Sequence, residues 1–449
     1  MPSPAAACWS YGSVAEVEAG AAQVLVAAAG ARWESGLLPR LAGPAAPVRL
    51  ARRCVDLPDL VAAAAAGRGS LVLVSSQVDG WDADVVARLA ECGVATVVVA
   101  EDGVDAERSR RLGAGRVLSA DVAFDPGLLI QALLEAATDV AVPSGSTPGA
   151  PAEHVRDLPV VDGCVVAVWG PTGAPGRSTV ALGLAAAAAR QQVNVLLVDA
   201  DVYGGATGQM LAVLDEVSGV LAAVRAASAG SLDITELAAA ARTVAPGLRV
   251  LTGLPRADRW TALRPAAVRE VLAVARRSAQ LVVVDCAFCI EQDEEVAFDS
   301  AAPRRNAATA TVLEQADMVL SVGSADPLGL TRLARARSDL RELVPTAAVR
   351  LVVNKVRTGL GWSREEVAAT LLRAIGEVPL AFLPYDQTAV DHAWTNGQAV
   401  GEGAPASALA VALDTLATAV TADLQMATAR RPGRRARTRT GRRRAALGR

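Results

Sequence analysis

The sequence predicts an α/β protein built from two doubly wound, mostly parallel sheets in succession, each with helices on both faces. Three observations carry this expectation. Short apolar runs alternate with helix-like stretches along both halves of the 449-residue chain. Several runs, such as "LLVV" and "LVVV", are continuously apolar, as strands covered on both faces must be. A stretch rich in Pro, Gly, Ser and Thr, residues 138–160, separates the two series and reads as a flexible linker.

In the first series, residues 1–137, the strand candidates are "QVLVAAA" (23–29), "PVRLARRC" (47–54), "SLVLVSS" (70–76), "ATVVVAE" (95–101) and "GRVLSAD" (115–121). Helical stretches such as "LPDLVAAAAA" and "WDADVVARLAEC" lie between them. In the second series, residues 161–428, the candidates are "CVVAVWG" (164–170), "VNVLLVDAD" (193–201), "LRVLTG" (248–253), "AQLVVVDCA" (279–287), "ADMVLSVGS" (316–324), "AVRLVVNKV" (348–356) and "PLAFLPYD" (379–386). The last segment, residues 429–449, cannot bury a core and is expected to be disordered.

Composition narrows the class further. The chain is too long for one ordinary core. Hydrophobic residues make up 52%, much of it alanine, and aromatics only 3%, which favours packed helices over an all-β fold. No run of about 18 strongly apolar residues argues for a membrane span. "MPSPAAACWSYG" lacks the basic and apolar segments of a signal peptide. Six scattered cysteines, at 8, 54, 92, 164, 286 and 289, are expected as reduced thiols in the cytosol. Ten arginines and no acid in residues 430–449 leave the rest of the chain strongly acidic. Lysine occurs once, at Lys355, so arginine fills almost every basic position.

The chemistry concentrates behind the first strand of the second series. There "GPTGAPGRST", residues 170–179, passes from strand to helix through small residues. A loop of this kind binds phosphate by aiming backbone N–H groups and a helix N-terminus at one anion. A cation then neutralises the outer phosphates, and a following hydroxyl holds Mg²⁺. Arg177 stands at the cation position, where lysine is usual. Asp199 and Asp201 close the next strand, where carboxylates can reach a metal-bound or attacking water. Asp285 closes another apolar strand, and Asn354 and Lys355 a further one. Ligands bind at the carboxyl ends of parallel strands, so these groups converge on one edge.

These letters, in this order, resemble the MinD/ParA family of deviant Walker A ATPases over residues 160–420. The closest pieces are "GPTGAPGRSTVALGLA", "VLLVDADVYGG", "LVVVDCA", "RRNAATATVLEQADMVLSVGSADPLGLTRL", "LVVNKV" and "FLPYDQTAVDHAWTNGQAV". The resemblance implies a P-loop NTPase sheet binding ATP and Mg²⁺. Gly173, Ala174, Pro175, Gly176, Arg177, Ser178 and Thr179 would hold the phosphates, with Ser178 on Mg²⁺. Asp199 would support the metal shell, Asp201 would orient water, and Asp285 would be the Walker B acid. Asn354, with Lys355 beside it, would read adenine, and Pro384 would pack beside the base. The family's second, signature lysine falls at Thr172, which puts catalysis across a dimer in question.

The first series resembles a response-regulator receiver in fold. The acid cluster, phosphoacceptor aspartate and lysine of a working receiver are replaced by Ala27–Ala29, Ser75 and Ser76, and Ser119, with Asp79 beyond the strand end. A docking domain is therefore expected rather than phosphotransfer. A degenerate receiver ahead of such an ATPase resembles the CpaE/TadZ-like pilus-assembly branch.

The resemblance implies a slow ATPase that dimerises with ATP and regulates the position of a pilus or secretion machine, a septum or a cell pole. The implied partners are a second copy of the chain and envelope proteins met through the receiver-like domain. The arginine tail adds weak contact with nucleic acid or anionic lipid. The implied place is the cytoplasm, with recruitment to the inner membrane face or cell pole by a partner. Two other classes remain: a non-catalytic nucleotide-binding scaffold, and a DNA-partitioning protein. Cys286 and Cys289 form a lone CxxC, read as core thiols rather than a metal site. The acidic insert 291–299 reads as a solvated loop or a mobile switch segment.

Overall fold

The computed structural model describes residues 21–43, 46–141, 163–173, 175–213, 217–291 and 304–430. The chain divides into two compact units, each with its own sheet.

The first unit holds β1 (Ala22–Ala27), β2 (Val48–Arg53), β3 (Leu71–Ser75), β4 (Ala95–Ala100) and β5 (Arg116–Ser119). All pairings are parallel and the order is β2-β1-β3-β4-β5, a doubly wound sheet. Every residue of β3 is buried. Leu60, Trp81 and Leu89 cover one face of the sheet, and Leu37, Leu129 and Leu133 the other. Ala27, Ser75 and Ser119 end β1, β3 and β5, so none of these strands ends on a carboxylate. Helix Pro126–Ala141 runs a few residues past 137, where the sequence reading began the linker; Thr138 Oγ1 donates to Glu135 O within it. Residues 142–160 of that linker, residues 161 and 162 and the tail after Arg430 lie outside the described residues.

The second unit holds β6 (Cys164–Trp169), β7 (Val195–Ala200), β8 (Arg242–Ala245), β9 (Leu248–Leu251), β10 (Leu281–Cys286), β11 (Met318–Ser324), β12 (Val349–Val356) and β13 (Pro379–Pro384). Their order is β13-β12-β11-β6-β10-β7-β9-β8. Seven strands are parallel; β8 pairs antiparallel with β9 at the edge. This edge strand was absent from the sequence reading. Its letters, "RTVA", carry no apolar alternation because the strand is half exposed, and only the Pro246-Gly247 turn marks the hairpin.

Helix Arg177–Arg190 is buried all round from Val180 to Ala189. Its alanines allow close approach on the sheet side and on the side of the last helix, Ala408–Arg430. At Gly183 a Cβ would stand only 2.5 Å from Leu413 Cδ1. By length and composition Ala408–Met426 could pass for a membrane span, against the expectation of none. Its apolarity has another cause here: Leu409, Leu413, Leu416 and Val420 sit in the core against Val180–Ala189. Among the described residues, the cysteines at 54, 92, 164, 286 and 289 form no disulfide.

Candidate functional site

The site forms where β6, β7, β10 and β12 end together. Parallel pairing sets Asp285 of β10 beside Asp199 of β7 in exact register with it. Side chains alternate along β10: Leu281 and Val283 face the helix Arg177–Arg190, and Val282 and Val284 face away. Asp285 therefore falls on the helix side, as does Asp199 by the same count along β7. Two carboxylates on adjacent strands are thus held about 4.8 Å apart at the backbone, under the helix that the loop begins.

The loop from Gly170 to Gly176 turns through left-handed backbone at Gly173 (φ +102°) and Gly176 (φ +93°). Gly176 caps the helix, and a Cβ there would lie 2.4 Å from Asn354 Nδ2. Glycine is required by both conformation and space. Asn354, almost fully buried, donates Nδ2–H to Pro175 O at 2.8 Å and so ties the end of β12 to the turn. Lys355 follows with a left-handed φ of +59°, a rare conformation for a residue with a side chain. Ala174 lies outside the described residues.

Arg177 points into the turn rather than out of it. Its Nε–H donates to Cys286 O at 3.1 Å, and Nη1–H to Gly170 O at 3.3 Å and Pro171 O at 3.2 Å. Nη2 stands 3.7 Å from Asp201 Oδ2, and the guanidinium carbon 5.9 Å from the Phe288 ring centre. One side chain thereby clamps the loop to the end of β10.

The three acids have different surroundings. Asp199 accepts from Thr207 N–H at 3.0 Å, Thr207 Oγ1–H at 2.8 Å and Asp201 N–H at 3.2 Å. Gly205 and Gly253 leave the space it fills, since a Cβ on Gly253 would stand 2.5 Å from its carboxyl carbon. Burial raises its pKa, opposed by the Thr207 hydrogen bonds. Asp199 thus organises the segment from Asp201 to Thr207. Asp201 accepts from Tyr203 N–H at 2.8 Å and Gly204 N–H at 3.3 Å, and lines the cleft. Asp285 is completely buried, with both oxygens lacking a hydrogen-bond partner. Burial first, then the neighbouring Asp199 charge, raise its pKa well above the usual carboxylate range; the Ser178 hydroxyl acts in the opposite direction.

The orphaned Asp285 carboxylate tests whether Mg²⁺ fits. A hard cation with few protein ligands suits an oxygen donor set of one hydroxyl and one carboxylate, the remainder being water and phosphate. Ser178 and Asp285 supply that set, and the buried carboxylate has no other protein donor. Among the described residues no group of three or more His, Cys, Asp or Glu forms a metal cage, at Cys286 and Cys289 or elsewhere. Most of the acidic insert 291–299 lies outside the described residues.

The cleft over the turn has a volume of about 380 Å³, within the range of about 300–1,000 Å³ typical of small-molecule sites. Gly176, Arg177, Ser178, Thr179 and Asp201 line one end. Asn354, Lys355 and Pro384 also line it, Asn354 and Lys355 beside Gly176, with Met210, Val390, Trp394 and Leu409 adding apolar wall. Thr207, Gly253 and Trp394 were missed in the sequence. The glycines of "YGG" and "LTG" were a signal for a filled cradle, while nothing marked Thr207.

The CobQ/CobB/MinD/ParA nucleotide binding domain (CbiA) family matches residues 166–395, more than half of the chain. The chain belongs to this family. Among solved structures, the cell division ATPase MinD of Pyrococcus furiosus is 18% identical, with 58% of this chain and 99% of that one covered and a TM-score of 0.47. A ParA family ATPase from Chlorobium tepidum TLS is 19% identical, covering 57% and 98%, with a TM-score of 0.49. The septum site-determining protein MinD of Pyrococcus horikoshii OT3, complexed with Mg-ADP, is 17% identical, covering 59% and 98%, with a TM-score of 0.46. No curated protein matches the chain. The matched stretch of this CobQ/CobB/MinD/ParA domain runs from β6 to Thr395, so it contains the turn, the three acids and Asn354.

Proposed function

We propose that the protein binds ATP with Mg²⁺ in this cleft, hydrolyses it slowly, and uses the bound state to pair with a second copy of itself. The observation that carries this is the buried, unpartnered Asp285 carboxylate beneath a glycine turn that opens a helix. In this reading the amides of Gly173–Thr179 and the N-terminus of helix Arg177–Arg190 hold the phosphates. Ser178 and Asp285 hold Mg²⁺, which when bound neutralises the outer phosphate oxygens. Asp201, at the cleft wall, positions the attacking water. The base is read by Asn354, with Lys355 beside it, where β12 meets the turn, and Pro384 with the apolar wall gives the purine a surface to stack on.

Arg177 bears on the rate. Its guanidinium already serves three carbonyls and approaches Asp201, so it must exchange these partners to serve phosphate. That favours binding over fast turnover, and it gives the non-catalytic scaffold reading specific support.

The cellular role proposed is positional: regulating where a pilus or secretion machine, a septum or a cell pole assembles, in the manner of a CpaE/TadZ-like protein. The protein would act in the cytoplasm and be recruited to the inner membrane face through its first unit, a receiver-like docking module. The doubly wound strand order and the non-acidic ends of β1, β3 and β5 support this. DNA partitioning, with the arginine tail gripping phosphates, is the competing role.

Calorimetric titration of Mg-ATP into the full chain, with phosphate release read in parallel, tests the reading. Binding lost in Ser178→Ala and turnover abolished in Asp201→Ala are expected. Binding without turnover in the unmodified protein establishes the scaffold, and no binding at millimolar ATP refutes both.

A further inference from the structure

A second guanidinium reaches the same turn from another element. Helix Pro327–Leu343 begins behind β11, capped by Asp326, whose side chain accepts from Gly329 N–H at 2.9 Å. Leu330 and Leu333 are buried beneath it, and Gly323 on β11 lets Leu333 approach so closely that a Cβ there would meet Leu333 Cδ2 at 2.6 Å. Arg332, between these two anchored leucines, is therefore aimed by a fixed backbone. It lies over Gly173: a Cβ on that glycine would be 2.2 Å from Arg332 Nη1 and 3.3 Å from its Cζ. Gly173 is exposed and left-handed, so the guanidinium covers bare backbone at the outer lip of the turn.

The two arginines at the turn are not equivalent. Arg177 is committed to three carbonyls and to Asp201. Arg332 is half-buried and forms no ion pair among the described residues. The residue next to Gly173, Thr172, is exposed and brings no charge to the lip. A planar guanidinium with free donors beside a row of amides suits a phosphate oxygen pair better than it suits solvent.

We infer that Arg332 is a binding residue for the outermost phosphate of a nucleoside triphosphate, supplied from within the same chain. The inference rests on the nucleotide reading above and adds to it a source of discrimination between triphosphate and diphosphate that needs no second copy. A diphosphate held on the amides nearest the helix leaves the lip empty, and a triphosphate fills it.

The test uses the full chain with Mg²⁺ and fluorescent ATP and ADP analogues, comparing the unmodified protein with Arg332→Gln and Arg332→Lys. Arg332→Gln is expected to weaken ATP binding about tenfold, the scale of one lost charged hydrogen bond, and ADP binding less than about twofold. Arg332→Lys recovers part of the difference. Thermal melting of each variant without nucleotide reports its fold, and light scattering follows oligomeric state. The effect is expected to be the same at protein concentrations where the chain is monomeric. Equal losses for both nucleotides, no loss at all, or a loss confined to dimeric protein overturns the inference while leaving nucleotide binding intact. If the unmodified protein binds neither nucleotide, both this inference and the proposed function fall.

Discussion

Arg177→Lys tests the clamp most directly, because it keeps the charge and changes only the geometry. The guanidinium spans two places at once: Nε reaches Cys286 O at the end of β10, and Nη1 reaches Gly170 O and Pro171 O in the turn. An ammonium is a single point on a flexible stem and can serve one of these places. A hydrogen bond from a charged donor contributes about 1.5–3 kcal/mol. The lower end of that range applies, since the side chain is 12% exposed and water can reach the abandoned acceptor through the cleft. The positive charge facing Asp201, 3.7 Å from Nη2, is kept by lysine and drops out of the comparison. A loss of about 1.5–2 kcal/mol corresponds to a fall of about 3–8 °C in Tm for a unit of this size. Scanning calorimetry of the nucleotide-free chain reads this in the transition that Mg-ATP shifts. Saturating Mg-ATP is expected to narrow the gap, because the ammonium then has phosphate as its partner. A lysine variant that melts no lower than the unmodified protein without nucleotide refutes the clamp.

Two further substitutions probe the carboxylate and the helix packing. Asp285→Asn replaces a buried acid whose pKa burial and Asp199 raise, a shift that costs stability above the ordinary carboxylate pKa, so nucleotide-free stability at neutral pH is expected to rise by about 1 kcal/mol, while the dependence of ATP affinity on Mg²⁺ falls; denaturant unfolding and titration with and without Mg²⁺ check the two halves. Gly183→Ala gains about 1 kcal/mol of helix propensity but forces a methyl to within 2.5 Å of Leu413 Cδ1, and overpacking costs about 1–3 kcal/mol. Net destabilisation is expected, and a double-mutant cycle with Leu413→Ala should recover it.

Much of this arrangement was legible in the letters because parallel sheets are monotonous. β7 and β10 are apolar up to a penultimate acid, and that is enough to place Asp199 and Asp285 at one edge of the sheet. The glycines at 173 and 176 were legible for the same kind of reason, since a turn this tight needs left-handed backbone. Side-chain direction was not legible. Nothing in "PGRST" says whether Arg177 faces outward to a ligand or inward to Cys286 O, because that depends on where β10 ends in space. Arg332 was hidden differently: it sits in "LTRLARARSDLREL" among other arginines, and only the fold brings that turn of helix against Gly173. β8 escaped because edge strands need no apolar pattern.

The Asp285 carboxylate separates a phosphate site from a merely structural turn. A buried acid held beside a second one costs stability at neutral pH, because it must either ionise without a counter-charge or hold a proton above its ordinary pKa. Asp199 shows how this same unit satisfies a buried acid when the purpose is architectural: it surrounds the group with Thr207 and a backbone N–H and clears space with glycines. Asp285 has only the nearby Ser178 hydroxyl to offset its burial, with no backbone N–H and no cleared pocket, although it sits one strand away on the same face. Arg177 is near enough to moderate its charge, yet spends its hydrogen bonds on carbonyls instead. The arrangement makes sense when the missing partner is supplied from outside, by a cation that reaches the sheet edge through the cleft with a nucleotide.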